Sequence, residues 1–194
     1  IHYSKSLSGP WEHIDLTFDK SAPPGSGAQF PPHGGNSNPA PWVLPNGTIL
    51  MLSRGKDAGM MDSGGGEVSR AANRNIVLFR ADTWNSTYRW VPSNGPNGTV
   101  NIGNGLVMTE DPVLWKGRRG FHALLHSSPD MTHGWSLDGI SWDWSPQIIG
   151  PPTLAGDNER PRVALDDAGD IKTVICGQLC GPGDAARTAA FPTL

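Results

Sequence analysis

Short apolar runs alternate with turn-forming residues along the chain, and three of the runs follow the same proline–glycine spacing. Pro39, Pro112 and Pro161 are each followed eight residues later by a glycine that opens a strand-like run. The three runs cover residues 48–52, 121–125 and 170–175. Each copy predicts a β-hairpin, because a polar turn containing Asn, Gly, Asp or Arg joins two short strand-like segments.

The distance between the copies predicts four-stranded sheet units. Consecutive copies lie 73 and 49 residues apart, which suits four short strands joined by loops of variable length. Further strand candidates occur where such units need them, at 75–80, 88–91, 134–136 and 141–144. We therefore predict an all-β fold, a β-propeller of four-stranded antiparallel blades, with repeats that start near residues 37, 110 and 159.

Composition agrees with this fold class. The 25 glycines and 18 prolines among 194 residues are typical of short strands joined by many turns. No segment has a sustained helical period, and none has the apolar length that a membrane span needs. We interpret residues 1–194 as a single propeller domain or a fragment of one, with about two and a half blades present.

A propeller with open ends leaves unpaired sheet edges, because only ring closure pairs the outermost strands. The chain also starts without Met, at Ile1. We therefore expect the remaining blades to come from a longer chain. Association of two copies into one ring is an alternative that open edges also allow.

Charge and glycosylation motifs bear on partners and location. The formal net charge is -3, and Lys and Arg are scattered singly except for Arg118 and Arg119. This pattern predicts no nucleic-acid partner and no membrane partner. Three Asn-Gly-Thr or Asn-Ser-Thr motifs fall in predicted turns, where a glycan can be accommodated, at Asn46, Asn85 and Asn97. Together they predict a secreted or extracellular glycoprotein.

The two cysteines, Cys176 and Cys180, lie four positions apart in a glycine-rich segment. Their spacing permits a disulfide that closes a small loop after the third hairpin, and an extracellular location favours it. No histidine follows at a spacing suited to zinc, so we predict no metal site there. His122 and His126 share a strand face, and we interpret them as packed residues rather than metal ligands.

The segment Ser136–Trp142 predicts a tight turn between two strands. Asp138 can accept hydrogen bonds from turn amides, Gly139 can adopt positive φ, and Trp142 can cover the hairpin. The segment resembles a shortened form of the Asp-box turn of sialidase propellers. We interpret it as structural rather than catalytic.

Four short motifs occur in an order that carries a family resemblance: Ser6–Trp11, which ends in Gly-Pro-Trp, then Asn38–Pro39, then Glu110–Pro112, then Glu159–Pro161. This order resembles the five-bladed β-propeller glycosidases, in particular glycoside hydrolase family 43, with the invertase and fructosidase propellers as neighbours. The resemblance implies five blades in full. It also implies a secreted hydrolase that cleaves glycosidic bonds in oligo- or polysaccharides by carboxylate general acid/base chemistry.

Such enzymes place three carboxylates around a central funnel: a base, a general acid and an Asp that tunes the acid. The resemblance implies that Glu110, two residues before Pro112, is the general acid. The tuning position, directly before a proline one blade earlier, holds Asn38, whose amide cannot supply a charge. The base belongs to a blade outside this sequence. Asp111 follows Glu110, so strand alternation predicts that these two side chains point to opposite faces.

Antiparallel connectivity predicts which segments surround these residues. The starts of the first strands share one face with the loops 20–37, 54–74 and 92–109, which would wall a cleft. Candidate substrate-binding residues on this face are Asn38, Trp42, Arg54, Asp111, His126 and Glu159. Structural roles stay open for several of them, because the charged residues can form ion pairs and the tryptophan can pack between blades.

Two functions therefore remain open. The first is a secreted glycosidase with Glu110 as its acid. The second is a non-catalytic propeller that binds glycans or serves as an extracellular scaffold, in which Asn38 marks the lost triad. The fold carries both roles. The predicted partner is a carbohydrate in either case and no cofactor is predicted; a calcium ion in the channel is allowed by the architecture but has no support in the sequence.

Overall fold

All named strands of the computed structural model pair antiparallel in the segments that it describes. Those segments are residues 2–19, 37–55, 76–95, 98–100, 109–127, 130–145, 158–178 and 187–192. The strands are β1 (His2–Tyr3), β2 (Glu12–His13), β3 (Ser37–Val43), β4 (Ile49–Arg54), β5 (Ile76–Ala81), β6 (Arg89–Val91), β7 (Thr109–Gly117), β8 (Gly120–Ser127), β9 (Asp130–Ser136), β10 (Asp143–Ser145), β11 (Asn158–Leu165), β12 (Ile171–Gln178) and β13 (Arg187–Pro192). Within these segments no helix has the length and apolar character of a membrane span.

The strands form meanders in which each strand pairs with its neighbour in sequence. β3–β6 form sheet 1, β7–β10 form sheet 2, and β11–β13 form the three-stranded sheet 3, while β1 and β2 form a separate pair. The predicted all-β class and the four-stranded antiparallel units are thus confirmed. Among the described strands no sheet closes on itself, so the propeller arrangement stays a prediction.

The three proline–glycine copies form the β3–β4, β7–β8 and β11–β12 hairpins, as the spacing predicted. Each hairpin also contains a β-bulge that the sequence did not reveal. The residue before the proline has a positive φ in all three, 58° at Asn38, 50° at Asp111 and 51° at Arg160. The strand register shifts across the same position in each copy. A bulge bends the strand and re-aims its side chains, so simple alternation does not hold there.

Sheets 1, 2 and 3 pack face against face in chain order. One buried cluster joins Leu52 and Leu78 of sheet 1 to Leu125 of sheet 2. A second cluster joins Leu124 of sheet 2 to Val174 of sheet 3. Because successive side chains of a strand point to opposite faces, neighbouring residues of β8 contribute to these two clusters. Sheet 2 therefore lies between its two neighbours.

The N-terminal segment covers the outer edge of sheet 1. Residue 18 forms a parallel bridge with Tyr88, whose amide donates to Thr17 O at 2.8 Å and whose carbonyl accepts from Asp19 N at 2.8 Å. The ring of Phe18 lies 5.3 Å from that of Phe79 in an edge-on arrangement. Added backbone pairing of this kind protects an edge strand that would otherwise expose unpaired amides.

The turn before β10 has the hydrogen bonds that its sequence predicted. Asp138 Oδ1 accepts from the amides of Ile140 and Ser141 at 2.7 and 2.8 Å, and from Ser136 Oγ at 2.9 Å. Burial acts in the opposite direction, but these hydrogen bonds, led by those from Ser141 and Ile140, lower the pKa of Asp138. The side chain of Asp138 thus organises the turn, in agreement with a structural role.

Trp142 closes this turn, and its backbone forms hydrogen bonds with a residue of the segment that follows sheet 1. Its indole is fully buried, and its Nε1 donates to Gly139 O at 3.2 Å. The side chain of Asn94, which follows β6, forms two hydrogen bonds with the backbone of Trp142. Trp142 N donates to Asn94 Oδ1, and Asn94 Nδ2 donates to Trp142 O, each at 2.9 Å. Ser93 Oγ also donates to Ile140 O. The segment after β6 therefore clamps the turn of the next sheet.

We expect Asn94→Ala to lower the free energy of unfolding by about 1–2 kcal/mol, because the substitution removes both hydrogen bonds to Trp142. Urea denaturation followed by circular dichroism measures the change. Asn85→Ala, in the exposed turn between β5 and β6, is the matched control and should change stability by less than about 0.5 kcal/mol. Equal unfolding midpoints for the two variants would show that the clamp contributes nothing.

Candidate functional site

The first residues of β3 and β7 meet at one end of sheets 1 and 2. Asn38 Nδ2 donates a hydrogen bond to Asp111 Oδ1 across 73 positions of sequence. Both side chains are half-buried, and both residues directly precede the proline of their bulge. Arg160 holds the matching position of β11 and is exposed. We call these three residues the bulge site.

The backbone of the bulge site is strained in the same way three times. A left-handed conformation at a residue other than glycine costs of the order of 1–3 kcal/mol, with Asn and Asp among the residues that tolerate it best. Arg160 has no such side-chain advantage, yet it adopts a φ of 51°. Strained backbone that the surrounding structure maintains is concentrated at functional sites. Because the strained conformation occurs at the same position of all three hairpins, we treat these positions as candidates for a functional site.

Asp111 lies at a position of β7 where the alternation of side chains expected for a regular strand does not apply. Alternation predicted that it points away from the face of Glu110. The register shift between Glu110 and Val113 interrupts alternation at this point, and the Asp111 carboxylate reaches Asn38 of the neighbouring sheet. A charged group is thus present beside the amide that stands in the predicted tuning position.

Strand pairing places the other polar candidates at the same end of the sheets. Arg54 ends β4 opposite Ser37, and Glu110 pairs with His126 of β8. Glu159 lies at the start of β11, in the matching position of sheet 3. The side chains of Glu110 and Glu159 lie outside the described part of the structure. Backbone register therefore places each of these positions at the end of its own sheet that carries the bulge.

Two of the predicted substrate-binding residues are placed in packing environments. His126 is 2% exposed, so a sugar would reach it only after neighbouring side chains move. Trp42 pairs with Leu50 and packs against both buried clusters that flank sheet 2. Its equivalent, Trp115, is buried as well. These environments favour the structural interpretation of both tryptophans over stacking on a sugar.

The remaining motif predictions have mixed outcomes. Cys176 is buried in the cluster between sheets 2 and 3, and this burial raises the pKa of its thiol. Cys180 lies outside the described residues, and nothing supports the predicted disulfide. Asn46 and Asn85 lie in exposed turns, while Asn97 falls outside the description. Among the described residues no cluster of three or more metal-ligating side chains occurs.

The sequence placed Asn38 and Asp111 among the candidate substrate-binding residues of one face, but it did not predict their direct contact. Arg160, the third residue of the bulge site, was not among those candidates. Alignment of the three copies on their prolines was the signal that could have grouped them, since all three directly precede the repeated Pro.

Comparison with known proteins found no relative of this chain: no protein-family model, no curated protein and no solved structure matches it.

Proposed function

We propose that this protein is a secreted carbohydrate-active propeller domain of the glycoside hydrolase type, with its site at the end of the sheets that carries Asn38, Glu110 and Asp111. The observation that carries the proposal is the contact between Asn38 and Asp111. It joins equivalent positions of two successive sheets, as expected where the first strands of propeller blades approach a common axis.

The packing order of the sheets supports a propeller. Sheet 2 lies between sheets 1 and 3, and each of the three begins with a hairpin whose bulge lies at the same end. Successive meanders that pack face to face with equivalent ends aligned are the units from which propellers are built. Residues at that end would then surround a shared central opening, where several blades contribute to one site.

The chemistry of the site fits a ligand rich in hydroxyl groups. Asp111 accepts one amide hydrogen bond from Asn38, and a carboxylate has further lone pairs for sugar hydroxyls. Glu110 precedes it and is the proposed general acid. Strained backbone on both sides of the contact holds the Asn38 amide and the Asp111 carboxylate in place before a ligand binds, which lowers the ordering cost of binding.

One observation favours the second candidate function, a propeller that binds glycans without cleaving them. The amide of Asn38 stands where the resemblance implies a carboxylate, and it donates its hydrogen bond to Asp111. A carboxylate with a neutral amide partner serves hydrogen bonding to sugars well. In this second case the bulge site binds a sugar, and Glu110 transfers no proton.

Hydrolysis of a panel of aryl glycosides and polysaccharides tests the proposal. We expect Glu110→Gln to lower kcat by about 10²–10⁴-fold, the usual contribution of a general acid, while glycan affinity is retained. Asp111→Asn should weaken glycan binding, because it replaces one acceptor oxygen of the carboxylate with an NH2 group that only donates. Glu12→Gln, an exposed substitution in β2, is the matched control and should leave both quantities unchanged.

The outcomes separate the two functions. If the parent protein hydrolyses a substrate and the kcat of Glu110→Gln stays within about twofold of the parent's, Glu110 is not the general acid. If no substrate is turned over but glycans bind the parent and fail to bind Asp111→Asn, the non-catalytic function is correct. Absence of both turnover and glycan binding in the parent would overturn the proposal entirely.

A further inference from the structure

A cleft of about 270 Å³ lies between sheets 2 and 3, near the β7–β8 and β11–β12 turns. These turns follow the ends of β7 and β11, whereas the bulge site lies at the beginnings of the same strands. The cleft is therefore separate from the proposed glycan site. Its polar and aromatic lining consists of Trp115, Arg119, His122, His133 and Asp170.

The wall on the β11–β12 side is fixed by close backbone contact. A Cβ atom on Gly117 would lie 3.1 Å from Gly169 O, and one on Gly169 would lie 3.0 Å from Lys116 O. The two turns thus approach closely where both residues are glycine. Arg118 forms an ion pair with Asp170 across the same junction. The shape of the cleft is therefore largely formed before any ligand enters.

The opposite wall is a pair of imidazoles on β8 and β9. His122 Nδ1 lies 3.2 Å from His133 Nε2, and the two rings are within 8° of parallel. The indole of Trp115 lies behind them, with its centroid 5.4 Å from that of His122. Burial, with the nearby charge of Arg119, lowers the pKa of His122, and burial lowers the pKa of His133 to about 4. Both shifts favour the neutral form of the ring.

Both imidazoles line the cleft, and the hydrogen bond between them fixes the roles of the two nitrogens that remain. A neutral imidazole has one N–H donor and one acceptor nitrogen. Since one ring donates to the other, the remaining nitrogens, His122 Nε2 and His133 Nδ1, comprise one donor and one acceptor in either tautomer. Arg119 adds donors and Asp170 adds acceptors. Such a mixed set suits hydroxyl groups, which both donate and accept.

We infer that this cleft is a second carbohydrate site, which binds one neutral sugar unit through its hydroxyl groups. The cleft is slightly smaller than the pockets of about 300 Å³ and above that hold drug-sized ligands, so it suits a single sugar ring. The Asp170 carboxylate lines the same space, so the cleft offers acceptor oxygens as well as the donors of Arg119. The site does not depend on the chemistry of Glu110.

Titration with neutral monosaccharides, namely glucose, galactose, xylose and arabinose, tests the inference. The imidazole nitrogen resonances of His122 and His133 report binding directly by NMR. We expect one or more of these sugars to shift both sets of resonances, with about tenfold weaker affinity in Arg119→Gln, which removes exposed donors without disturbing the core. His133→Phe keeps the flat ring, removes both nitrogens and should abolish binding.

Glu110→Gln and Asp111→Asn are the controls that separate this site from the bulge site. Neither should change the sugar-dependent shifts of the two histidines, even if both abolish glycan processing. Absence of shifts with every neutral sugar at saturating concentration would overturn the inference. Shifts with sulfate or glucuronate alone would also overturn it, because the cleft would then be an anion site. Unchanged affinity in a folded Arg119→Gln together with a folded His133→Phe would place binding elsewhere.

Discussion

Replacement of Trp142 by Ala should lower the free energy of unfolding by about 3–5 kcal/mol, the usual cost of deleting a large buried aromatic side chain. The indole is 0% exposed and belongs to the cluster that joins sheets 1 and 2. It stacks on Trp144 with centroids 5.9 Å apart and donates to Gly139 O. Its loss leaves a cavity and an unsatisfied carbonyl in the same place.

Urea unfolding followed by far-ultraviolet circular dichroism measures this change without relying on tryptophan fluorescence. Trp135→Ala is the matched control, because that side chain is 41% exposed on β9; it should cost less than about 1 kcal/mol. Trp142→Phe should lie between the two, since it keeps part of the packing and loses the hydrogen bond. Equal losses in Trp142→Ala and Trp135→Ala would show that the turn does not depend on the buried indole.

Acidification from pH 7 to pH 4 should lower the stability of the protein by roughly 1–2 kcal/mol through His133 alone, after allowance for partial solvent screening. The pKa of His133 falls from 6.5 to about 4 on folding. Between these values the unfolded chain binds a proton that the folded chain does not. The contribution is therefore fully present above pH 6.5 and is lost as the pH falls toward 4. The lowered pKa of His122 acts in the same direction.

Unfolding free energies measured from pH 7 to pH 4 check this dependence. His133→Phe removes the titrating group and should flatten the slope between pH 6.5 and 4, whatever its effect on stability at pH 7. His2→Gln, at an exposed position of β1, is the control and should leave the slope as in the parent. A slope unchanged in His133→Phe would show that other groups account for the loss at low pH.

Local chemistry made several elements predictable. The hairpins follow from turn residues that lie within a few positions of the strands they join, and all three copies form as expected. The turn at Ser136–Trp142 follows from hydrogen bonds between residues at most four apart. β9 was predicted only in part: the predicted strand begins at residue 134, whereas the observed strand begins at Asp130. Polar residues in its first half conceal the alternation on which such predictions rely.

The candidate site was predicted only in part, because its geometry depends on a bulge. The positions of Asn38 and Asp111 beside repeated prolines could be read directly from the chain. Their contact could not, since a register shift of one strand against its partner changes the face to which a side chain points. The same limit applies to the imidazole pair, whose two histidines lie on different strands and meet only through the pairing of β8 with β9.

The sequence by itself determined the all-β class, the three hairpins and the turn around Asp138, because these depend on residues close together along the chain. Tertiary structure alone decided that Asn38 meets Asp111, that Asn94 clamps the turn of the next sheet, and that His122 and His133 share a cleft. Each of these contacts joins different strands or different sheets. Their formation depends on sheet register, bulges and face-to-face packing, which are properties of the assembled fold rather than of any single segment.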